Sequence, residues 1–376
     1  MRITTVISSL GCGGAERNLL KISAGLVETG HDLVLLTLRH DVEDFFVIPS
    51  GVQRERVDPA FERDCRWFDL LAHVQKWWLL RRALLASRPD VVMSFIDTNN
   101  ILVLLSLFGS RIPVVACERV NMQSHAIGWR WRLLRVFVYP FAAAVVVQTR
   151  QASLRAIRRH RSWRLVQIPN WIESPRDGLI WPGQRHGLDR SDVVQGAQIL
   201  AVGRLHQQKG FDLLIRAFAA LPRRHQQVRL VILGEGAERS ALERLVAELH
   251  LEDRVFLPGS VPNPEAWMVG TELFVLSSRY EGFPTVLAEA MALGCPVISM
   301  DCPDGPNEMI RHGLNGLLVP PEDEQTLAKS MSQLLDDRTM CQRLGVAAQQ
   351  ITQRYARLSI IQQWQQLIES VSAESH

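Results

Sequence analysis

Glu281 and Glu289 bracket the run E-G-F-P-T-V-L-A-E, with seven residues between them. The apolar segment 273–276 before the run reads as a buried strand, and 285–293 reads as a helix stopped by Gly294. A strand, a Gly/Pro turn and a helix set a helix N-terminus at the rim of a parallel sheet, where free N–H groups and the helix dipole attract anions. Glu281 falls in the turn, and Glu289 one turn inside the helix on the face of Thr285. Two acids beside an anion site suit chemistry on a nucleotide-activated molecule. Taken alone, the pair also suits general acid/base work.

Other candidates lie at strand ends. Gly203-Arg204-Leu205 and Lys209-Gly210 follow the strand-like 199–202, so two cations share one loop before a helix starting near 211. That position favours holding a diphosphate over the alternative of solvated surface charge. Gly11-Cys-Gly13-Gly14-Ala-Glu16 follows the first strand and opens a helix. It is either a tight turn or a loop offering bare N–H groups to an anion. Glu16 stands where the dinucleotide fingerprint requires glycine. Gly234-Glu235-Gly236 and Leu257-Pro258-Gly259 read as turns first and as the edge of a nucleotide base or ribose second. Asp301, Asp304 and Glu308 are spaced poorly for a metal, and no D-x-D occurs. His31 and His125 read as structural polar residues.

The elements that must position these groups alternate. Strand-like runs fall at 3–8, 33–38, 91–94, 114–116 and 144–148, with helical patterns at 15–29, 67–87 and 99–107. A second series has strands at 199–202, 229–233, 255–257, 273–276, 297–300 and 316–319, and helices near 211–220, 238–249, 285–293 and 324–336. This alternation predicts two doubly wound α/β domains, which suits a chain of 376 residues. The domains are 1–170 and 196–355, joined by a Gly/Pro-interrupted linker at 171–195. A long final helical segment breaks near Gly345, and its last part, 356–376, returns to the first domain.

Composition narrows the class. No apolar run is long enough to span a bilayer, and Met1 leads directly into a strand, so the chain reads as cytosolic and without a leader. Six scattered cysteines without C-x-x-C read as reduced thiols rather than a disulfide framework or zinc site. Residues 1–170 carry 23 Lys/Arg against 14 Asp/Glu, and the remainder carries 19 against 25. Nine arginines and no acid lie between 127 and 164, interleaved with Trp129 and Trp131. This pattern suits a lipid-headgroup interface slightly better than plain packing, and nucleic acid least, because no nucleic-acid module surrounds it.

Together these motifs resemble the family 4 glycosyltransferases of the GT-B fold. The resemblance runs from S-L-G-C-G-G-A-E-R through I-P-N (168–170), G-R-L-x-x-x-K-G (203–210), G-E-G (234–236) and the Glu281 run to G-P-N-E (305–308) and G-L-N-G-L-L-V (313–319). The S-L-G-C-G-G-A-E-R start and the segment D-C-P-D-G-P-N-E (301–308) look most like the branch making bacterial surface polysaccharides and lipid-linked oligosaccharides. The resemblance implies two Rossmann-like domains facing a cleft and a retaining, metal-independent enzyme without a cofactor. Its donor is a nucleotide-sugar, expected to be a UDP-sugar. Its acceptor is a polyprenyl-diphosphate-linked or lipopolysaccharide-type saccharide at the cytoplasmic face of the inner membrane.

On the same resemblance, Arg204 and Lys209 clamp the diphosphate, helped by Gly13, Gly14 and the backbone of Thr285, Val286 and Leu287. Glu289 holds the ribose and Glu281 faces the transferred sugar. Gly234, Glu235, Pro258, Gly282, Phe283 and Pro284 complete the donor side. Glu281, Arg204 and Lys209 are the catalytic set. Many relatives carry a histidine after the strand that here ends in Cys117-Glu118-Arg119, so Glu118, Arg119 and His125 are the acceptor-side candidates. An epimerase or phosphorylase of the same fold is the alternative activity, and a non-catalytic saccharide-binding protein the alternative class.

Overall fold

The computed structural model describes residues 1–11, 13–57, 70–119, 122, 127–173, 198–261 and 263–374, with backbone alone at 70–73 and 198. Most of the expected linker and His125 lie outside the described residues. Two compact units divide the chain: Met1–Asn170 with Leu358–His376, and Trp171–Arg357.

In the first unit, uniformly apolar runs become central strands, because a strand covered by helices on both faces needs no polar side. The strands are β1 (Arg2–Ile7), β2 (Asp32–Thr37), β3 (Val52–Arg56), β4 (Val91–Phe95), β5 (Val114–Cys117), β6 (Ala144–Val147) and β7 (Leu165–Gln167). They form a seven-stranded, all-parallel sheet in the order β3-β2-β1-β4-β5-β6-β7. Sequence patterning misses β3 and β7. Both are sheet edges, and V-Q-R-E-R and L-V-Q carry little apolar signal. Helices Leu70–Ala86, Asp97–Ser106 and Trp129–Val138 supply the core on one face. The final helix, Arg357–Ala373, brings in Trp364, whose ring is fully buried, so the chain's end belongs to the first unit.

The second unit has β8 (Gln198–Val202), β9 (Arg229–Leu233), β10 (Val255–Gly259), β11 (Leu273–Leu276), β12 (Val297–Met300) and β13 (Leu317–Val319). These six strands are parallel in the order β10-β9-β8-β11-β12-β13. Helices Phe211–Ala219, Arg239–Glu248 and Glu324–Asp336 pack one face, and Thr285–Ala292 with Ile351–Arg354 the other.

Strand order reverses between β1 and β4 in one sheet and between β8 and β11 in the other. At such a switch point the loops leaving the carboxyl ends diverge and open a crevice. In the second unit the loops beside that crevice carry Arg204 and Lys209 after β8, and Glu281 after β11.

One expectation fails locally. The chain does not break at Gly345, which lies inside the helix Arg338–Ala348; the breaks come after that helix and again at Tyr355. A Cβ on Gly345 would stand 2.2 Å from the Gly294 carbonyl oxygen, so this glycine serves close packing rather than a turn. The cysteines among the described residues are free, and burial pushes the Cys117 and Cys295 thiols up to about 12. No helix among the described residues is long and apolar enough to cross a membrane.

Candidate active site

After β8 the chain takes a 3-10 turn, Gln207–Lys209, and then a left-handed residue, Gly210, at φ +61°. This turn delivers Lys209 toward the loop after β11, where Lys209 Nζ donates to Glu281 Oε1 at 2.7 Å. Ser278 Oγ donates to the same oxygen at 2.6 Å. Glu281 is buried, which is tolerable only because cation and hydroxyl satisfy its charge. Burial, then the charge of Glu281, also pushes the thiol of neighbouring Cys302 up.

The two loops are stitched together. Arg279 grips Asp212 with two bonds of 2.9 and 2.7 Å and donates a third, of 2.8 Å, to the Gln207 carbonyl. Ser277 Oγ donates to Lys209 O at 2.9 Å, and Gln208 Nε2 to Tyr280 O at 2.9 Å. The stem of Lys209 lies across Gly203, where a Cβ would come within 3.2 Å of its Cδ and Cε. Arg204, in the same loop, is exposed. The site thus joins one paired and one solvent-facing cation at the switch point, beside a carboxylate.

Glu289 is buried in the helix Thr285–Ala292, one turn from its start. Thr285 N–H donates to Phe283 O at 2.8 Å and Leu287 N–H to Pro284 O at 3.0 Å, so two of the three expected amides serve their own turn. The Val286 N–H bonds to no backbone acceptor among the described residues. Phe283 turns its ring into the core against Tyr355, edge to face at 5.3 Å, and leaves only backbone for a ligand. Gly234 abuts the β8 loop: a Cβ there would lie 1.9 Å from Gly203 O. Glu235 is gripped by Arg239, which also donates to Leu257 O at 3.1 Å, while Pro258 is exposed. Asp301 accepts from Asn307 Nδ2 at 2.8 Å, and no three metal-ligating side chains converge among the described residues.

In the first unit Gly13 caps the helix Gly14–Glu28, and the Glu16 carboxylate folds back over it, at 2.1 Å from where a Cβ would stand. Glu118 and Arg119, at the carboxyl end of β5, are both buried rather than open to solvent. Glu118 accepts from the Tyr139 hydroxyl. Arg119 donates to Asn170 Oδ1 at 3.0 Å and lies over the rings of Phe95 and Trp364, at 4.6 and 5.7 Å. Ile96, just after β4, holds φ +77°, a strained value for a β-branched residue.

Burial raises the Glu118 carboxyl from 4.5 to about 6, against the opposing pull of the Arg135 charge. A folded-state value above the unfolded one favours the fold at low pH. This contribution is full below about 4.5 and is lost as pH rises through about 6. The loss is on the order of 2 kcal/mol. Glu118→Gln is therefore expected to flatten this part of the stability profile, as read by thermal melts across that interval. An unchanged slope would contradict the assignment.

Sequence reasoning singles out Glu281, Arg204 and Lys209 but misses Ser278, Arg279 and Asp212. Ser278 and Arg279 stand in the run S-S-R-Y-E that joins β11 to Glu281, so their position at a strand's carboxyl end was the available signal. Asp212 has no local signal, because its meaning comes from a partner 67 residues away.

Residues 193–351 match the family model described as glycosyl transferases group 1, and residues 13–171 the glycosyl transferase 4-like domain. Among curated relatives, the chain is 28% identical over 372 residues to a Campylobacter jejuni enzyme, covering 99% of each chain. That enzyme is named GalNAc-alpha-(1->4)-GalNAc-alpha-(1->3)-diNAcBac-PP-undecaprenol alpha-1,4-N-acetyl-D-galactosaminyltransferase. The amylovoran biosynthesis glycosyltransferase AmsD of Erwinia amylovora is 25% identical, with 95% of this chain and 96% of that one covered. Among solved structures, Anabaena HepE in complex with UDP-glucose superposes with a TM-score of 0.78 at 22% identity, over 99% of this chain and all of the other.

Proposed function

Because the chain belongs to the group 1 glycosyl transferases, with two Rossmann-like domains of the GT-B kind, we propose that it transfers a sugar with retention from a UDP-sugar to a membrane-anchored saccharide. The observation that carries this reading is the convergence of Lys209, Arg204 and Glu281 at the switch point of the second sheet. As the glycosidic bond breaks, negative charge grows on the leaving diphosphate and positive charge on the sugar. Arg204 and Lys209, with the start of the helix Thr285–Ala292, meet the first charge. Glu281 orients sugar hydroxyls and faces the second, while Glu289 holds the ribose. The cations supply the positive charge at the leaving group, so the reaction in this reading runs without a metal. Glu281 is not assigned as a covalent nucleophile, because in this reading Glu281 and Glu289 divide between sugar and ribose rather than flanking the bond as the paired carboxylates of a hydrolase do.

The test is release of UDP from a UDP-sugar in the presence and absence of a polyprenyl-diphosphate-linked saccharide. Transfer requires release that depends on the acceptor and a product that keeps the donor's anomeric configuration. Release without acceptor, or an epimerised donor, contradicts it.

The acceptor reading rests on the relatives and on one face of the first unit. Helix Trp129–Val138 turns Trp129, Leu133 and Phe137 outward at four-residue intervals, with Trp129 69% and Phe137 64% exposed. Phe141 extends the stripe and meets Phe108 edge to face at 5.1 Å. Arg130 and Arg132 flank it in a stretch of nine arginines without an acid. An exposed apolar stripe edged by cations suits an anionic membrane surface, here the cytoplasmic face of the inner membrane. Each cation there contributes about 1 kcal/mol. Vesicles containing anionic lipid are expected to float the protein at low salt and release it at high salt, and a Trp129→Ser, Phe137→Ser double variant is expected to bind markedly less. Flotation insensitive to both changes would remove the membrane reading.

A further inference from the structure

Oε1 of Glu281 receives two donors at once, the Lys209 ammonium and the Ser278 hydroxyl. The carboxylate side chain is 6% exposed and that of Lys209 18%, so both charges lie largely away from solvent. The Lys209 stem is laid down across Gly203, and its backbone is held by Ser277 Oγ on the Lys209 carbonyl. The ammonium lies beyond both of these anchors. Arg204, in the same loop, is already exposed.

We infer that Lys209 is exchanged between two anions. In the empty site it neutralises Glu281; an incoming nucleotide diphosphate draws it away, and Oε1 is then free to accept hydroxyls of the transferred sugar. This rests on the donor reading above. Ser278 is the positioning residue of the exchange, because its hydroxyl keeps the carboxylate in place after the ammonium has left. The consequence is an order of recognition: the diphosphate is read first, and the sugar is read by a carboxylate that the diphosphate has unmasked. A free sugar therefore meets a Glu281 whose Oε1 is occupied, whereas the same sugar on a diphosphate meets that oxygen released from the ammonium.

The experiment is a double-mutant cycle on the full chain, read as UDP affinity by titration calorimetry for the wild type, Glu281→Gln, Lys209→Met and the double variant. Glu281→Gln removes the partner from which Lys209 must be drawn, so UDP is expected to bind about fivefold tighter or more. In the Lys209→Met background the same change is expected to alter UDP affinity by less than about twofold, because no exchange remains. Equal tightening in both backgrounds would mean simple repulsion between Glu281 and the diphosphate and would overturn the exchange. So would unchanged or weaker binding in Glu281→Gln. If no variant and no wild-type protein binds UDP or GDP, the donor reading itself fails and the exchange with it. Thermal melts without ligand confirm that each variant folds, and Lys209→Gln replaces Lys209→Met if the latter does not.

Discussion

Glu281→Gln is expected to lower kcat by about 10²–10³ while the protein folds normally, and Arg204→Ala is expected to do the same. The reason differs for each. Glu281 is held by Lys209 and Ser278 at the switch-point crevice, and an amide keeps its shape but loses the charge that answers the cationic sugar. Arg204 is exposed, so its truncation leaves no buried hole and, among the described residues, no orphaned hydrogen-bond partner. Its loss is expected to weaken donor binding somewhat and to be felt most when negative charge gathers on the leaving diphosphate. The Glu281 variant would then bind UDP more tightly yet turn over more slowly, a combination that a general folding defect does not produce. Wild-type rates in both variants would remove the proposed mechanism.

Gly210→Ala is expected to cost about 3 kcal/mol. It should lower the melting temperature of the second unit by roughly 6–12 °C. Gly210 sits at φ +61°, and a Cβ there would stand 2.2 Å from the Ser277 carbonyl oxygen. Relieving that overlap must separate the two loops that carry Lys209 and Glu281, so donor binding is expected to fall along with stability. Gly313→Ala is the control. Gly313 also has positive φ, +75°, but a Cβ there meets nothing within 4 Å. It should show only the backbone cost of about 1 kcal/mol and unchanged UDP binding. Equal losses in the two variants would show that the close approach of the loops does not matter.

Much of this architecture is legible from the order of apolar runs. The central strands announce themselves because burial on both faces requires continuous hydrophobicity, as in L-F-V-L of β11. The edges β3 and β7 do not, since a strand paired on one side tolerates V-Q-R-E-R. Within the site, Arg204, Lys209 and Glu281 can be found because each follows a readable strand. The pairing of Lys209 with Glu281 is not readable, because sequence patterning does not say which strands are neighbours, and it is the β8–β11 adjacency that brings the two together. The Asp212–Arg279 brace is hidden for the same reason. Acceptor-side expectations fare differently: Glu118 and Arg119 lie where the chain order places them, after β5, yet both turn into buried polar contacts with Tyr139 and Asn170. Position along a strand is visible in sequence; side-chain direction just past its end is not.

In the proposed donor site the second unit holds a nucleotide-sugar by its diphosphate through Arg204 and Lys209. A thermal-shift series with UDP- and GDP-sugars tests it most directly, because a ligand of the native state stabilises it by about 2.7 kcal/mol at one hundred times its dissociation constant. The expected result is a rise of roughly 5–10 °C with one or more UDP-sugars in the wild type, and little or none in an Arg204→Ala, Lys209→Met double variant. No rise with any nucleotide-sugar, or the same rise in the double variant, would contradict it.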